Sequence, residues 1–301
     1  MKLYEKIKCP ICKSSDFLVI KKKVNLFSDI KKIKQFYYSS SDHKLIDQLV
    51  KCKTCKFIFL NPRINSKIIL NSYKNTADKE FSRYNSERCE TFEKNFKRVL
   101  KYIKIDNKKD FRILDIGTGG GAFLIALKKL GFKATGIEPS RWLVNQAKKK
   151  YKIDIIQGTI ENCKIKKKYD LICFWDVFEH VIDLNLTLKI CKNLLKKKGF
   201  LLFNLPDHGS LARKVLRSNW PFYLNVHLYY FEKQTIKLLL RNYNFKLEKD
   251  FMHFQKLPLR YILQRASNYF KFFKVLMNYL PNKLNIGFWY NMGQKMYLFR
   301  N

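Results

Sequence analysis

Apolar and polar positions divide the chain into three unlike stretches. In the first, two short apolar runs, 16–20 and 57–60, each follow a closely spaced pair of cysteines and read as strands. After Asn61-Pro62-Arg63 comes a polar stretch, about 66–105, with a helical pattern. The third stretch is more regular. Arg112-Ile-Leu-Asp-Ile116 is a short apolar strand, Gly117-Thr-Gly-Gly-Gly121 turns the chain at once, and Gly131 ends a helix over 122–130. A second strand, 133–137, runs into Glu138-Pro139-Ser140. Strand, glycine turn, helix, strand and acid make a nucleotide-type crossover, which predicts an α/β fold.

Composition narrows the class. A chain of 301 residues that is 47% hydrophobic and 15% aromatic can bury a sizeable core, which excludes disorder throughout. Lys interrupts every hydrophobic run, so no uncharged apolar stretch reaches about 18 residues and no transmembrane span is expected. The first residues lack the apolar segment of about 7–15 positions that a secretory signal carries, and a cytoplasmic location is expected. The 61 Lys+Arg against 24 Asp+Glu give a net charge of +37. Such a surface attracts polyanions. Most of these residues are Lys, however, scattered in short groups (21–23, 148–150, 166–168, 196–198) among many Ile, Asn, Tyr and Phe. An AT-rich coding bias produces the same composition, so a solvated surface is the plainer reading and nucleic acid the less favoured partner.

Four of the 8 cysteines form two knuckles, Cys9-Pro-Ile-Cys12 and Cys52-Lys-Thr-Cys55. Four thiolates at this spacing suit a closed, structural zinc site, so residues 1–62 read as a zinc ribbon. The knuckles lie 39 residues apart, which makes 21–50 an excursion from the ribbon. Cys89, Cys163, Cys173 and Cys191 stand alone and are expected in the core as small hydrophobes.

By itself the glycine turn would also suit a dinucleotide, through Gly117, Gly119 and Ala122. Asp115, two residues before the first glycine, argues otherwise. A carboxylate there repels a pyrophosphate and welcomes a cationic amino-acid ligand such as S-adenosylmethionine. Leu114-Asp-Ile-Gly-Thr-Gly-Gly-Gly121 resembles the first motif of class I S-adenosylmethionine-dependent methyltransferases. The resemblance runs through 111–255 and implies a Rossmann-like α/β domain with a seven-stranded sheet. Its third strand and following loop would be 155–161, and its later strands 169–175, 198–206, 245–248 and 295–299. It implies a donor site built from Asp115, Gly117, Thr118, Gly119, Gly121, Glu138 and Pro139, with Glu138 on the ribose. Thr159 and Ile160 would flank the adenine, and Trp175 would close the site at the end of the fourth strand.

Phe174-Trp-Asp-Val-Phe-Glu-His-Val181 lies at that carboxyl end, where ligands gather in open α/β sheets. On a helical turn Asp176 neighbours Glu179 and His180. Capping of a following helix is the other reading of Asp176. The segment resembles ubiquinone-biosynthesis-type O-methyltransferases and the small-RNA 2′-O-methyltransferases, where acid-x-x-Glu-His supplies ligands to a divalent metal. In the RNA group a further His comes from a later segment similar to His227-Leu-Tyr-Tyr-Phe-Glu232. The resemblance implies that Asp176, Glu179, His180 and His227 converge beside the donor. They would bind a divalent metal or contact the substrate, with His180 or His227 as general base. The (Asn/Asp)-Pro-Pro-(Tyr/Phe) motif of amino-group methyltransferases is not matched.

The whole layout, ribbon, Asn-Pro-Arg and then a donor fold with a Glu-His pair, resembles bacterial methyltransferases of surface-polysaccharide and modified-sugar biosynthesis. It implies O-methylation of a sugar, a glycan precursor or another small hydroxylated metabolite, phosphorylated and lipid-linked acceptors included. RNA methylation is the competing reading, and an inactive ribbon protein that binds a partner is the third. The expected divisions are the ribbon (1–62), a helical linker (63–108) and a methyltransferase domain (109–301). Within the last, 257–292 forms an aromatic helical insertion carrying Tyr269, Phe270, Phe272, Phe273, Phe288, Trp289 and Tyr290 with Arg260, Arg265, Lys271 and Lys274. This insertion either caps the sheet or rests on a membrane or lipid-linked glycan.

Overall fold

A computed structural model of the protein describes residues 2–24, 37, 43–75, 85–267, 272–279 and 287–301. The N-terminal part contains β1 (Tyr4–Glu5), β2 (Phe17–Lys21), β3 (Leu49–Cys52), β4 (Ile58–Leu60) and β5 (Arg63–Ile64), then the helices α1 (Ser66–Asn75) and α2 (Asn85–Val99). The alternating part follows: β6 (Arg112–Ile116), α3 (Ala122–Lys129), β7 (Lys133–Glu138), α4 (Arg141–Tyr151), β8 (Ile155–Gln157), β9 (Tyr169–Trp175), α5 (Leu184–Leu194) and β10 (Leu195–Pro206). After α6 (Leu211–Leu216), β11 (Tyr229–Tyr230), α7 (Lys233–Arg241) and β12 (Lys246–Met252) come β13 (Gln255–Pro258), α8 (Leu259–Ser267), α9 (Phe272–Tyr279), β14 (Gly287–Tyr290) and β15 (Gln294–Arg300).

The central sheet runs β12-β15-β10-β9-β6-β7-β8, with β15 antiparallel to both its neighbours and β6 to β10 parallel. Helices cover both faces, so the middle strands are apolar almost throughout. Leu114, Ile116, Ile172 and Phe174 face one core. Ile113, Leu171, Cys173 and Trp175 face the other, against Phe96 and Val99 of α2 and Phe123 and Leu127 of α3. Every strand predicted for this domain is present, with shifts at its ends. The strand order reverses at β6: the chain moves outward to β7 and β8, then returns to lay β9 on the other side of β6. That reversal opens a crevice at the carboxyl ends of β6 and β9.

The ribbon does not close on itself. Its sheet runs β2-β3-β4-β11, and β11 comes from the far side of the sequence, pairing Tyr229 with Phe59 and Tyr230 with Ile58. One hydrophobic core contains Cys9, Phe57 and Phe59 of the ribbon together with Phe178, Phe203 and Phe231. Arg63, nearly fully buried, adds a polar tie: Nε donates to Glu5 Oε1 (2.8 Å), and Nη1 donates to the Tyr229 hydroxyl (2.8 Å) and the Ile182 carbonyl (3.1 Å). Most of the expected excursion 21–50 lies outside the described residues.

The insertion is helical only in part. It contains α8 and α9, but β13 and β14 frame them as an antiparallel ladder. Tyr269, Phe270 and Lys271 lie outside the described residues. Among those described, no helix is long and apolar enough to cross a membrane.

Candidate functional site

The crevice is lined first by the glycine turn between β6 and α3. Gly117, Gly119 and Gly121 have φ of 70°, 56° and 77°, a left-handed conformation that L side chains avoid. A Cβ on Gly121 would stand 2.2 Å from Ile153 Cδ1. The turn is pinned by the Ile137 carbonyl, which accepts from the N–H groups of Gly117 (2.8 Å) and Thr118 (3.0 Å). Asn85, at the start of α2, donates to the Gly120 carbonyl at 2.7 Å. The Glu138 carboxylate, buried at the end of β7, accepts from the Gly119 N–H (2.8 Å) and the Ser140 N–H (2.9 Å). Pro139 follows, and the Ser140 hydroxyl caps α4 by accepting from the Leu143 N–H.

Asp115 is 2% exposed, and its Oδ1 has no hydrogen-bond partner among the described residues. Burial pushes its carboxyl up to about 7. A buried carboxylate oxygen without a partner, beside the glycine turn, is a cost that a ligand would relieve. Thr159 and buried Ile160 sit in the loop after β8, held to the crevice by the Gly158 N–H, which donates to the Glu138 carbonyl (3.0 Å). Trp175 points into the α2 side of the sheet, between Phe92 (4.9 Å) and Phe123 (5.0 Å), and its Nε1 is also without a partner among the described residues.

Across the crevice stands an acid with two histidines. Ligand atoms of Glu179, His180 and His227 lie within 4.8 Å of one another. Glu179 is 1% exposed, and neither carboxylate oxygen reaches a hydrogen-bond partner on another described residue. Burial, with the charge of Asp176 adding to it, holds its carboxyl well above the usual range. His180 Nδ1 lies 2.8 Å from the Val226 carbonyl, and His227 Nδ1 lies 2.8 Å from the Phe222 carbonyl. A carbonyl only accepts, so each Nδ1 carries the proton and each ring presents its lone pair on Nε2. Burial lowers His180 to about 4, so it is neutral near pH 7.

Asp176 stands apart from this group. It has φ 56°, and its Oδ1 accepts from the amides of Asn204 and Gln294, both at 2.6 Å. Nor does it cap a helix: the turn 178–180 is 3-10, and Asp183 caps α5 by accepting from the N–H groups of Asn185 and Leu186. Sequence reasoning missed Tyr73, whose hydroxyl lies 3.2 Å from His180 Nδ1, as well as Asn85 and Gln294.

In the ribbon, the Sγ atoms of Cys9 and Cys55 are 3.4 Å apart and those of Cys12 and Cys52 are 3.5 Å apart. Thiolates about 2.3 Å from a tetrahedral zinc stand about 3.8 Å from each other, so the four fit that ion. Each knuckle closes with a left-handed lysine, Lys13 (φ 63°) or Lys56 (φ 64°). Burial pushes Cys9 up; at Cys52 burial also raises the thiol, but hydrogen bonds from the Cys55 N–H, the Cys12 thiol, the Thr54 N–H and the Cys55 thiol together draw it down to about 7. Of the isolated cysteines, Cys89, Cys173 and Cys191 are buried, as expected, and Cys163 is partly exposed.

Residues 84–250, more than half the chain, match the family described as "Methyltransferase domain". The chain belongs to that family. Its fold is that of the class I S-adenosylmethionine-dependent methyltransferases, and a solved methyltransferase from Archaeoglobus fulgidus aligns over 74% of this chain and 100% of its own, with TM-score 0.51 and 17% identity. Among curated proteins, the chain is similar to the ubiquinone biosynthesis O-methyltransferase of Pelagibacter ubique (35% identical, 34% of this chain and 50% of that one). It is also similar to that of Bradyrhizobium diazoefficiens (31%, covering 38% and 45%). The chain thus spans about half the length of the curated relatives it matches. The methyltransferase fold implies S-adenosylmethionine, and Asp115, the glycine turn and Glu138 fit it on the buried Asp115 oxygen that lacks a hydrogen-bond partner among the described residues.

Proposed function

We propose that the protein transfers a methyl group from S-adenosylmethionine to a hydroxyl of a small acceptor. The observation that carries this reading is Glu179, buried with two oxygens that meet no other described residue, beside two histidines whose tautomers are set by carbonyls. Such an acid is kept against its desolvation cost because it meets something that binds. The curated relatives, named as O-methyltransferases, support oxygen as the acceptor atom.

When bound, the donor supplies an electrophilic sulfonium methyl. In this reading Glu138 holds the ribose diol, Asp115 balances the positive charge of the amino-acid portion, and the glycine turn admits the donor to the backbone. His227 takes the acceptor proton on Nε2, and Glu179 balances the imidazolium that results. His180, neutral and fixed by the Val226 carbonyl, orients the acceptor. Glu179, His180 and His227 also fit a divalent cation, which would lower the pKa of a hydroxyl placed on it. Sugars and glycan precursors are the acceptors the layout favours, and a small molecule of ubiquinone biosynthesis is the one the names of the curated relatives favour.

The test is label transfer from methyl-labelled S-adenosylmethionine to a panel of sugar nucleotides, glycans, phenols and RNA. Label in a small hydroxylated acceptor, lost in His227→Ala, supports the reading. Label confined to RNA, or in none of the panel despite bound donor, overturns it.

A further inference from the structure

Helix α2 and the turn after it present Lys94, Lys97, Arg98 and Lys101 at positions i, i+3, i+4 and i+7, one stripe of the surface. With Glu90, Glu93 and Trp289 they line an open cleft of about 440 Å³. The acids of the cleft are already paired, Glu93 with Lys97 at 2.7 Å and Glu90 with Lys256. That leaves Lys94 and Lys101 exposed, with Arg98 half-buried between them. Lys94 Nζ lies 3.9 Å from the Trp289 ring, so the stripe runs directly into the β13–β14 ladder.

The appendage beyond that ladder exposes apolar surface of a particular form. On α9, Phe272, Val275 and Tyr279 (67%, 55% and 81% exposed) recur at i, i+3 and i+7, which is one helical face. Phe288 and Trp289 on β14, and Met252 and Phe254 at the end of β12 and just after it, are exposed as well. Arg98 ties the last pair to the stripe: its Nη1 donates to the Met252 carbonyl at 2.7 Å, and its guanidinium lies 5.9 Å from the Phe254 ring.

We propose that this appendage and the α2 stripe dock the protein on an anionic membrane surface. The cations meet lipid phosphates, and the aromatic and aliphatic side chains enter the interface. Charge complementarity selects the occupant. A second copy would bring another +37 chain against the same stripe. A nucleic acid would engage the lysines and Trp289 but leave the Phe272–Val275–Tyr279 face in water. A bilayer uses both.

Flotation of the full chain with vesicles tests this independently of any methyl acceptor. The chain should float with vesicles of phosphatidylcholine and phosphatidylglycerol, stay behind with phosphatidylcholine alone, and release as salt shortens the Debye length. Lys94→Glu with Lys101→Glu should lower the partition coefficient about 100-fold or more, since each neutralised lysine alone costs about 5-fold. Phe272→Asp with Tyr279→Asp, both on the surface and so harmless to folding, should lower it about 10-fold or more; retained binding of S-adenosylhomocysteine verifies the fold. No flotation, flotation insensitive to the α9 pair, or an RNA oligonucleotide bound through both sets of residues would overturn the proposal.

Discussion

Leu228 joins the ribbon to the acid–histidine group. Its N–H donates to the Glu179 carbonyl at 2.9 Å, and its own carbonyl accepts from the Leu60 N–H of β4 at 3.0 Å. Strand β11 begins at the next residue, and His227 precedes it. The sheet that carries Cys52 therefore continues, hydrogen bond by hydrogen bond, to the main chain of Glu179. The cluster of four cysteines supports the site's geometry as well as the local fold.

Zinc removal should therefore reach the site. Metal analysis should find about one zinc per chain, because four thiolates fill a tetrahedral shell. Chelation should lower the Tm by about 6 °C, the loss of about 4 kcal/mol of ligand linkage in a chain of this size. Methyl transfer should fall faster than donor binding, since Glu179 and His227 hang on β11 and Asp115 and Glu138 do not. Parallel calorimetry and activity measurements on the chelated protein check the order.

Binding of S-adenosylmethionine should strengthen as pH rises through about 7. Asp115 is held up to about 7 by burial, and its ionised form is the one that attracts a cation. The ligand-free chain should behave in the opposite sense. A carboxyl whose folded pKa is raised stabilises fully below its ordinary value and loses that contribution as pH climbs to about 7. On wild type and Asp115→Asn, titration calorimetry across about pH 5.5 to 8.5 measures the first trend and thermal unfolding across about pH 4 to 8 the second. Asp115→Asn should flatten each.

Glu179→Gln should separate binding from chemistry. Loss of the carboxylate should cut methyl transfer by about 10²–10⁴ while donor affinity stays within a factor of about 3. The same change should leave the Tm unchanged or raise it by a few degrees, because it removes a buried, unpartnered acid. A fall in Tm with unchanged turnover would mean that Glu179 serves the fold alone.

Gly121→Ala should weaken donor binding and stability together. At φ 77° an alanine costs about 1–2 kcal/mol, and its Cβ must also displace the Ile153 side chain. Gly131→Ala is the control, with φ 84° but open space where the Cβ would go. It should lower the Tm by a similar strain yet leave donor affinity intact.

The strands were legible because each buries a whole local run. Arg112–Ile116 and Tyr169–Trp175 end where the apolar residues end, since parallel strands covered on both faces tolerate few polar positions. Glu138 was legible for a related reason: an acid closing an apolar strand, next to a turn of glycines, has few other uses. Asp176 misled because its spacing to Glu179 assumed a helical turn. The chain takes a left-handed residue and a 3-10 turn there instead, and two distant amides bind the carboxylate.

By itself the sequence determined the α/β sheet, the crossover with its acids, and the two knuckles, all properties carried by neighbouring residues through periodicity, turn chemistry and ligand spacing. Tertiary structure alone decided that β11 completes the ribbon sheet, that Tyr73 reaches His180 across 107 positions, and that Gln294 reaches Asp176 across 118. Local patterns record which side of an element is buried. They do not record which distant surface buries it, because that choice is made by the packing of whole layers around one core.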